Sequence, residues 1–286
     1  MEASPIRNRL LLVAAALLFS TGGAAIKAAT LTPWQVACFR SGVAALALLA
    51  GLPEARRRWD LRTLPVAAAY AATLIMFVLA TRLTTAANAI FLQSTAPLYV
   101  LLLAPWLLRE PVRRSDLIYV VFIAVGMALF FLGTEQAVAT APDPPRGNLI
   151  AASSGLSWAL TVTGLRWLGR GAPGNPAIAT VALGNIMAFL AALPLALPVT
   201  AGAGGANLLV ILYLGIAQIG LAYLCVTRAI RHVPAFEATT IMLLEPVMNP
   251  IWAWLVHGEK PGPWALAGGG LILSATLVNT LRWRTA

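Results

Sequence analysis

Long apolar runs alternate with short polar breaks along the whole chain. Each run approaches the roughly 20 apolar residues that a helix needs to cross a membrane, and each ends at charged residues or at a Pro/Gly turn. We therefore predict ten membrane-spanning helices, numbered in chain order. Their expected ranges are 10–26, 34–52, 64–80, 86–108, 117–133, 149–165, 177–198, 208–226, 235–256 and 264–281.

The runs predict helices rather than the strands of a membrane barrel. Barrel strands alternate polar and apolar residues over segments of about ten, whereas these runs are continuous, longer and rich in Leu and Ala. Composition agrees, because a chain of 286 residues that is 59% hydrophobic and 10% charged has too little polar surface for a soluble protein. The expected fold class is an all-α integral membrane protein.

The first run, 10–26, has a second interpretation. It follows Arg7 and Arg9 and is rich in small residues near its end, so it could be a secretory signal that is cleaved. Its length, the Lys27 that follows and the regular spacing of the later runs favour a retained helix.

The net charge of +10 is distributed unevenly between the two sides of the predicted bundle. With ten spans and an internal N-terminus, fifteen of the twenty Lys and Arg residues fall in cytoplasmic segments, which is the bias that membrane proteins show. This placement accounts for the charge without a nucleic-acid partner. We predict a multi-pass protein of a bacterial-type inner membrane, with both termini in the cytoplasm.

A sequence repeat relates the two halves of the chain. Residues 97–110 match residues 246–259, since in each segment a proline is followed thirteen positions later by a glutamate. The Thr-Arg pair at 81–82 recurs at 227–228.

The repeat divides the chain into residues 1–140, with spans one to five, and residues 141–286, with spans six to ten. Because five is an odd number, the second half must sit upside down relative to the first. Many transporters are built from such inverted repeats and bind their substrate between them.

A proline-to-glutamate motif of this spacing, once in each half of a ten-helix chain, resembles the EamA-type drug/metabolite transporter superfamily. The resemblance covers nearly the whole chain and implies cytoplasmic termini. It also implies a cavity between the halves, lined mainly by spans one, three, four, six, eight and nine. Within the superfamily, the chain is similar overall to the YddG-type exporters of aromatic and other amino acids.

Polar and aromatic residues recur at three- and four-residue steps on several of these spans, as expected for a helix face that lines a cavity. The alternative is helix packing, because Ser and Thr bond their own backbone and aromatic rings fill gaps in any bundle. An aromatic, largely uncharged cavity suits a substrate with an apolar body and a polar head. The candidate substrate-binding residues are Phe19, Tyr70, Phe77, Asn88, Thr95, Tyr99, Trp158, Thr161, Tyr223 and Glu245.

Three ionisable residues lie at membrane depth, where charge is costly: Arg40, Glu237 and Glu245. Arg40 is expected to pack or to extend to the interface, or else to attract a substrate carboxylate. Glu237 lies near the cytoplasmic end of span nine and is expected to meet water.

Glu245 lies roughly 15 Å into the same span at about 1.5 Å per residue. It should be protonated or paired, with Arg40 a possible partner, and two roles remain open. Either it satisfies a backbone carbonyl freed by Pro246, or it couples protons or recognises an ammonium group.

Together these patterns predict an exporter or facilitator of small metabolites, amino acids first, that works by alternating access. The expected partners are a small-molecule substrate and membrane lipids, the expected functional unit is a monomer, and no cofactor or metal is expected. The alternatives are an exporter of drugs or lipophilic cations, a channel, and an integral-membrane enzyme. An enzyme is disfavoured because His232 and His257 lie at opposite span ends and no nucleophile–base pattern is visible.

Overall fold

The chain folds as a bundle of helices. The computed structural model describes residues 5–56, 59–107, 109, 114–132, 137–169, 176–199, 204–229, 233 and 241–282. Within these ranges there is no β-strand beyond a single bridge between Val138 and Ala141, so the predicted all-helical class is confirmed. The helices are α1 Pro5–Ser20, α2 Gly22–Ala28, α3 Pro33–Gly51, α4 Thr63–Leu83, α5 Ala86–Gln93, α6 Ala96–Leu107, α7 Arg114–Leu132, α8 Pro144–Gly169, α9 Ala177–Ala196, α10 Gly205–Leu212, a π segment Tyr213–Leu221, α11 Ala222–Ala229, α12 Leu244–His257 and α13 Pro263–Arg282, with a 3₁₀ turn at Pro53–Arg56.

Six helical stretches in the described part of the chain are long and apolar enough to cross a membrane. They lie at 6–28, 33–51, 63–83, 86–103, 177–196 and 205–226, and they correspond to predicted spans one to four, seven and eight. Shorter apolar helices at 117–132 and 263–279 correspond to spans five and ten. Predicted spans six and nine fall on α8 and α12. Helices of this length and number make the chain a multi-pass membrane protein.

Local capping chemistry sets helix starts that hydropathy does not locate. Before α3, the Thr32 hydroxyl accepts the Gln35 N–H at 3.2 Å, and the Gln35 side chain accepts the Thr32 N–H at 3.1 Å, which is a capping box. Helix α8 begins at Pro144, five residues before the predicted start. Asp143 accepts the Arg146 N–H there at 3.2 Å, and proline is well suited to a first helical turn.

Several predicted spans are broken helices rather than continuous ones. The first span turns at Thr21 between α1 and α2, and the fourth is interrupted between α5 and α6. Span eight contains the nine-residue π segment, and α12 of span nine begins only at Leu244. Pro97 and Pro246 therefore lie in the first turns of α6 and α12, where a backbone N–H has no partner to lose. From the sequence, a disturbed helix was expected at Pro246 alone, whereas the interruptions of spans one, four and eight are seen only in the structure.

Helix α4 lies between α8 and α9, and α9 also packs against α3. Glycines allow the close approach. A Cβ atom on Gly164 of α8 would lie 2.7 Å from the Val66 side chain, and one on Gly184 of α9 would lie 2.6 Å from the Tyr70 ring. Small residues at helix crossings are the usual means of packing helices within a membrane.

Large apolar side chains cover the outside of the bundle. Leu46, Trp106 and Leu209 are exposed by 70%, 88% and 69% of their surface. Such a surface is suited to lipid and would be a liability in water.

One end of the bundle is closed by a buried ion pair, and we refer to it as the Lys27 end. Lys27 Nζ lies 2.7 Å from Glu259 Oε1, and both side chains are nearly inaccessible, at 4% and 3% exposure. The ammonium also donates to the carbonyls of Thr84, at 2.9 Å, and Thr140. The other carboxylate oxygen of Glu259 accepts the Ala86 N–H at 2.9 Å, at the start of α5.

Candidate functional site

Four aromatic rings meet inside the bundle, and we call them the aromatic cluster: Phe19 of α1, Tyr70 of α4, Trp158 of α8 and Tyr223 of α11. The ring centroids of Phe19 and Tyr223 are 5.3 Å apart, those of Tyr70 and Tyr223 6.1 Å, and those of Tyr70 and Trp158 6.4 Å. Edge-to-face and tilted contacts at these distances are favourable. Tyr70 is buried and the other three are partly buried.

The sequence repeat aligns Phe19 with Trp158, at the offset that aligns Lys27 with Arg166, and aligns Phe77 with Tyr223, at the offset that aligns Thr81 with Thr227. The cluster contains three of these four aromatic residues but does not join them in those pairs. Phe19 contacts Tyr223 and Trp158 contacts Tyr70, so the repeat partners Phe19 and Trp158 are linked through two other rings. Phe77, the repeat partner of Tyr223, lies elsewhere. It packs among the apolar side chains around Val78 and Ala80, towards the Lys27 end.

The predicted threonines do not present free hydroxyls to the cluster. The Thr95 hydroxyl donates to the Leu92 carbonyl at 2.6 Å, and the Thr161 hydroxyl donates to the Ser157 carbonyl at 2.8 Å. Both threonines are fully buried. Thr161 bonds its own helix α8, and Thr95, in the interruption between α5 and α6, bonds the end of α5. This is the arrangement that the packing interpretation predicts.

Two further candidates, Tyr99 and Asn88, also lie in packing contacts away from the four rings. The Tyr99 hydroxyl donates to the Met127 sulfur at 3.7 Å, which holds α6 against α7. The Asn88 amide nitrogen donates to Asn148 Oδ1 at 3.1 Å, and the Thr84 hydroxyl donates to the same oxygen at 2.8 Å. These buried amides connect α5 to α8 near the Lys27 end.

Arg40 is buried in the bundle, with 2% of its surface exposed. One guanidinium nitrogen donates to the Leu74 carbonyl at 2.9 Å, and Nε has no hydrogen-bond partner in the described part of the chain. The side chain therefore packs within the protein and does not extend to the membrane surface. Its guanidinium lies near the Tyr70 hydroxyl, at the back of the aromatic cluster. Arg40 and Glu245 are both described and do not form the suggested ion pair.

Glu245 lies in the first turn of α12, next to the aromatic cluster. It is partly buried, and its carboxyl lies within electrostatic range of the Tyr223 hydroxyl. An acidic side chain in a first helical turn is stabilised by the free N–H groups and dipole of the helix. The break before α12 thus provides a structural reason for a carboxyl at this depth. Glu237 lies outside the described residues.

A cavity of about 630 Å³ lies elsewhere, between α3, α9 and α10. Its lining includes Phe39, Leu46, Phe189 and Leu208, and Asn207 is its polar member. Leu46 and Leu208 are exposed on the outside of the bundle. A groove of this kind lacks the convergent polar groups of a ligand site, so it is not the candidate.

Comparison with known proteins identifies the type of molecule that carries this cluster. A model of the EamA-like transporter family matches residues 8–132 and again residues 145–281. The chain belongs to the EamA-like transporter family. An uncharacterized transporter of Clostridium kluyveri is 30% identical over 82 residues, which are 29% of this chain and 26% of that protein's length.

A protein of known crystal structure resembles this chain in fold. The match has a TM-score of 0.63 and 19% sequence identity, and it covers 97% of this chain and 98% of the other. At this identity, the likeness concerns the fold alone.

Two buried amides of this chain, Gln218 and Asn249, were not predicted from the sequence. Asn249 lies one turn after Glu245 on α12, so a search of span nine at four-residue steps would have found it. Gln218 lies in the π segment. The hydrogen bonds of a π-helix span five residues, so a search at steps of three and four is unsuited to that segment.

Proposed function

We propose that the chain is an inner-membrane transporter of small metabolites, with amino acids, aromatic ones included, as its first candidate substrates. The observation that carries the proposal is the aromatic cluster. Its rings come from four helices that are far apart in the sequence, and they provide flat apolar surfaces deep in a membrane bundle. Aromatic walls of this kind suit the apolar body of an amino acid.

We further propose ten spans arranged as two inverted halves, residues 1–140 and 141–286. The two separate family matches, one in each half, support a duplication. Two rings of the cluster, Phe19 and Tyr70, come from the first half, and Trp158 and Tyr223 come from the second. A binding site at the interface of the halves is what alternating access by rocking requires.

The charge distribution supports cytoplasmic termini, since fifteen of the twenty Lys and Arg residues fall on one side of the proposed topology. The proposed partners are the transported metabolite and membrane lipids, and the proposed functional unit is a monomer. We also propose that, within its family, the chain is similar to the YddG-type exporters of amino acids.

A second candidate function is the export of lipophilic cations. Glu245 favours it, because a carboxyl beside aromatic rings is an arrangement that attracts organic cations. The two functions differ in cargo and share the same site.

Counterflow into proteoliposomes tests both functions. The purified protein is reconstituted with internal unlabelled substrate, and uptake of labelled amino acids, nucleosides, sugars and cationic dyes is compared with protein-free liposomes. We expect saturable counterflow of amino acids, strongest for aromatic ones. Movement of lipophilic cations alone would overturn the amino-acid assignment. Flux that rises linearly with concentration and never saturates would identify a channel instead.

A further inference from the structure

Span one is broken opposite two buried amide side chains. At the turn between α1 and α2, Gly22 and Gly23 leave room for Gln218 of the π segment and Asn249 of α12. A Cβ atom on Gly22 would lie 2.9 Å from Gln218 Nε2, and one on Gly23 would lie 2.6 Å from Asn249 Oδ1. The absence of side chains at both positions is what lets the amides approach the backbone.

Both amides are buried without adequate hydrogen bonds. Asn249 is 0% exposed, and neither its oxygen nor its nitrogen has a hydrogen-bond partner among the residues that the structure describes. Gln218 is 6% exposed; within the same residues its oxygen has no partner, and its nitrogen reaches the Phe19 carbonyl only at 3.5 Å. A buried polar group without a partner destabilises the fold, so each such group in a native protein requires an explanation.

Asn207 shows how this chain satisfies another buried asparagine. Its oxygen accepts the Thr30 N–H at 2.9 Å, and its nitrogen donates to the Thr30 hydroxyl at 2.7 Å. Asn207 is 6% exposed, so its burial is similar to that of Asn249. Within the described residues, the protein supplies hydrogen-bond partners for the Asn207 side chain but not for the Asn249 side chain.

The unsatisfied amides adjoin the aromatic cluster. Gln218 contacts the backbone of Phe19, whose ring belongs to the cluster. Asn249 follows Glu245 by four residues on α12 and therefore lies on the same helix face, and Glu245 lies near Tyr223. Apolar rings and unpaired amides thus lie side by side where spans one, eight and nine meet.

We propose that Asn249 and Gln218 form the subsite for the polar head group of the transported metabolite, while the aromatic cluster holds its apolar body. This inference rests on the proposed transport function. A carboxamide offers both an acceptor oxygen and donor hydrogens, so the matching ligand group carries both donors and acceptors. The ammonium and carboxylate of an amino acid meet that requirement. A quaternary phosphonium cation offers neither and leaves the amides unpaired.

The test compares the stability and ligand response of two asparagine variants in detergent. Leucine has the branching and heavy-atom count of asparagine, so Asn249→Leu and Asn207→Leu remove hydrogen-bonding capacity with little change of shape. We measure thermal unfolding of the wild type and both variants without ligand, with L-phenylalanine, with L-serine and with tetraphenylphosphonium. Gln218→Met serves as a second variant of the subsite.

We expect Asn249→Leu to unfold at or above the wild-type temperature without ligand, because it removes an unpaired buried amide. Asn207→Leu should unfold at a lower temperature, because it leaves the Thr30 groups without partners. Amino acids should stabilise the wild type and Asn207→Leu. Their apparent affinity for Asn249→Leu and Gln218→Met should fall about tenfold or more.

Equal amino-acid affinity in the wild type and both subsite variants would overturn the inference, as would a loss of stability in Asn249→Leu as large as in Asn207→Leu. Failure of every amino acid to stabilise the wild type would also overturn it. The proposed function is judged separately, by wild-type counterflow. Saturable amino-acid counterflow with unchanged affinity in Asn249→Leu would retain the transporter and reject the subsite.

Discussion

At the scale of single residues, the aromatic cluster provides the most direct test of the site. Replacing Trp158 or Tyr223 by Ala removes a ring that contacts Tyr70, together with the surface that would hold the apolar body of a substrate. We expect a rise of about tenfold in the apparent KM for an aromatic amino acid, since aromatic contacts contribute about 0.5–1.5 kcal/mol beyond burial. Counterflow at normalised protein levels measures it.

Phe130 is the matched control for these two variants. Its ring packs against Phe91 at 6.1 Å, in a separate apolar group between α7 and the other helices. Phe130→Ala should lower the unfolding temperature, at a cost of about 3–5 kcal/mol for a buried ring, and leave the apparent KM unchanged. If Trp158→Ala and Tyr223→Ala lower the unfolding temperature and leave the apparent KM unchanged, as is expected of Phe130→Ala, then the two rings contribute to packing and not to substrate binding.

The position of Glu245 in the fold favours a structural role for its carboxyl over a role in proton coupling or substrate recognition. It occupies the first turn of α12, where the helix N-terminus stabilises it, and Pro246 beside it needs no hydrogen-bond partner there. We therefore expect Glu245→Gln to fold and to transport at near-wild-type rates, because glutamine keeps the shape and hydrogen bonding. The measurement is the transport rate of Glu245→Gln and of the wild type across a range of external pH. A well-folded Gln variant without transport, or with its pH dependence lost, would assign Glu245 to coupling or recognition.

At the scale of helices, the sequence predicted the six long apolar helices and the two shorter ones that the described residues contain, because hydropathy is a pattern within single segments. The ten spans and the two inverted halves stay predictions. Helix breaks were not predicted. Pro97 and Pro246 lie inside apolar runs, and only the fold reveals that α6 and α12 start just before them. The π segment is equally hidden, since its residues are as apolar as those of α10.

Helical spacing in the sequence does not distinguish residues that meet across distant helices from residues that bond the backbone nearby. Tyr70, Trp158 and Tyr223 were identified as candidates by helical spacing and Phe19 as the repeat partner of Trp158, and the fold brings the four together. The same spacing selects Thr95 and Thr161, whose hydroxyls bond backbone carbonyls three and four residues earlier in the chain. A hydroxyl that points along its helix and one that points into a cavity have the same sequence pattern.

The turn in span one between α1 and α2 has no room for a side chain at Gly23. Gly23→Ala would place a methyl group 2.6 Å from Asn249 Oδ1 and 2.9 Å from the Ala86 side chain. We expect a loss of about 1–3 kcal/mol in the free energy of unfolding, because neither neighbour can move without repacking. Reversible denaturation in detergent measures it.

Gly270 of α13 is the control, since a Cβ there meets nothing within 4 Å. Gly270→Ala should stabilise the protein by about 0.5–1 kcal/mol, because alanine is the better helix former. Opposite signs for the two glycines are expected. A neutral Gly23→Ala would mean that the turn between α1 and α2 adjusts freely.

At the scale of the whole molecule, the proposed topology places Arg62 and Arg146 on opposite sides of the membrane. Both are exposed, one before α4 and the other in the first turn of α8. In a background without Cys38 and Cys225, Arg146→Cys should react with an impermeant maleimide in whole cells, whereas Arg62→Cys should react only after lysis. External labelling of Arg62→Cys would reverse the assigned orientation of both halves.

The buried ion pair at the Lys27 end ties the two halves together across 232 residues of sequence. Removing one partner leaves a charge in a dry environment, so Lys27→Met and Glu259→Met should each cost about 3–5 kcal/mol. The double variant should cost much less than the sum, because it leaves no unpaired charge. A double-mutant cycle from denaturation in detergent measures the coupling, with exposed Lys260→Met as a near-neutral control.

Additive losses in that cycle would show that the two side chains stabilise the bundle independently, through the Thr84 carbonyl on one side and the Ala86 N–H on the other. Strong coupling has a consequence for transport. The pair lies across the proposed interface of the halves, so opening the Lys27 end requires both charges to separate and to regain water. Water is the natural partner of a separated ammonium and carboxylate, and their desolvation opposes reclosure. A coupled pair at this position therefore resists opening and closing alike, and its removal should speed the interconversion of the two states while it lowers stability.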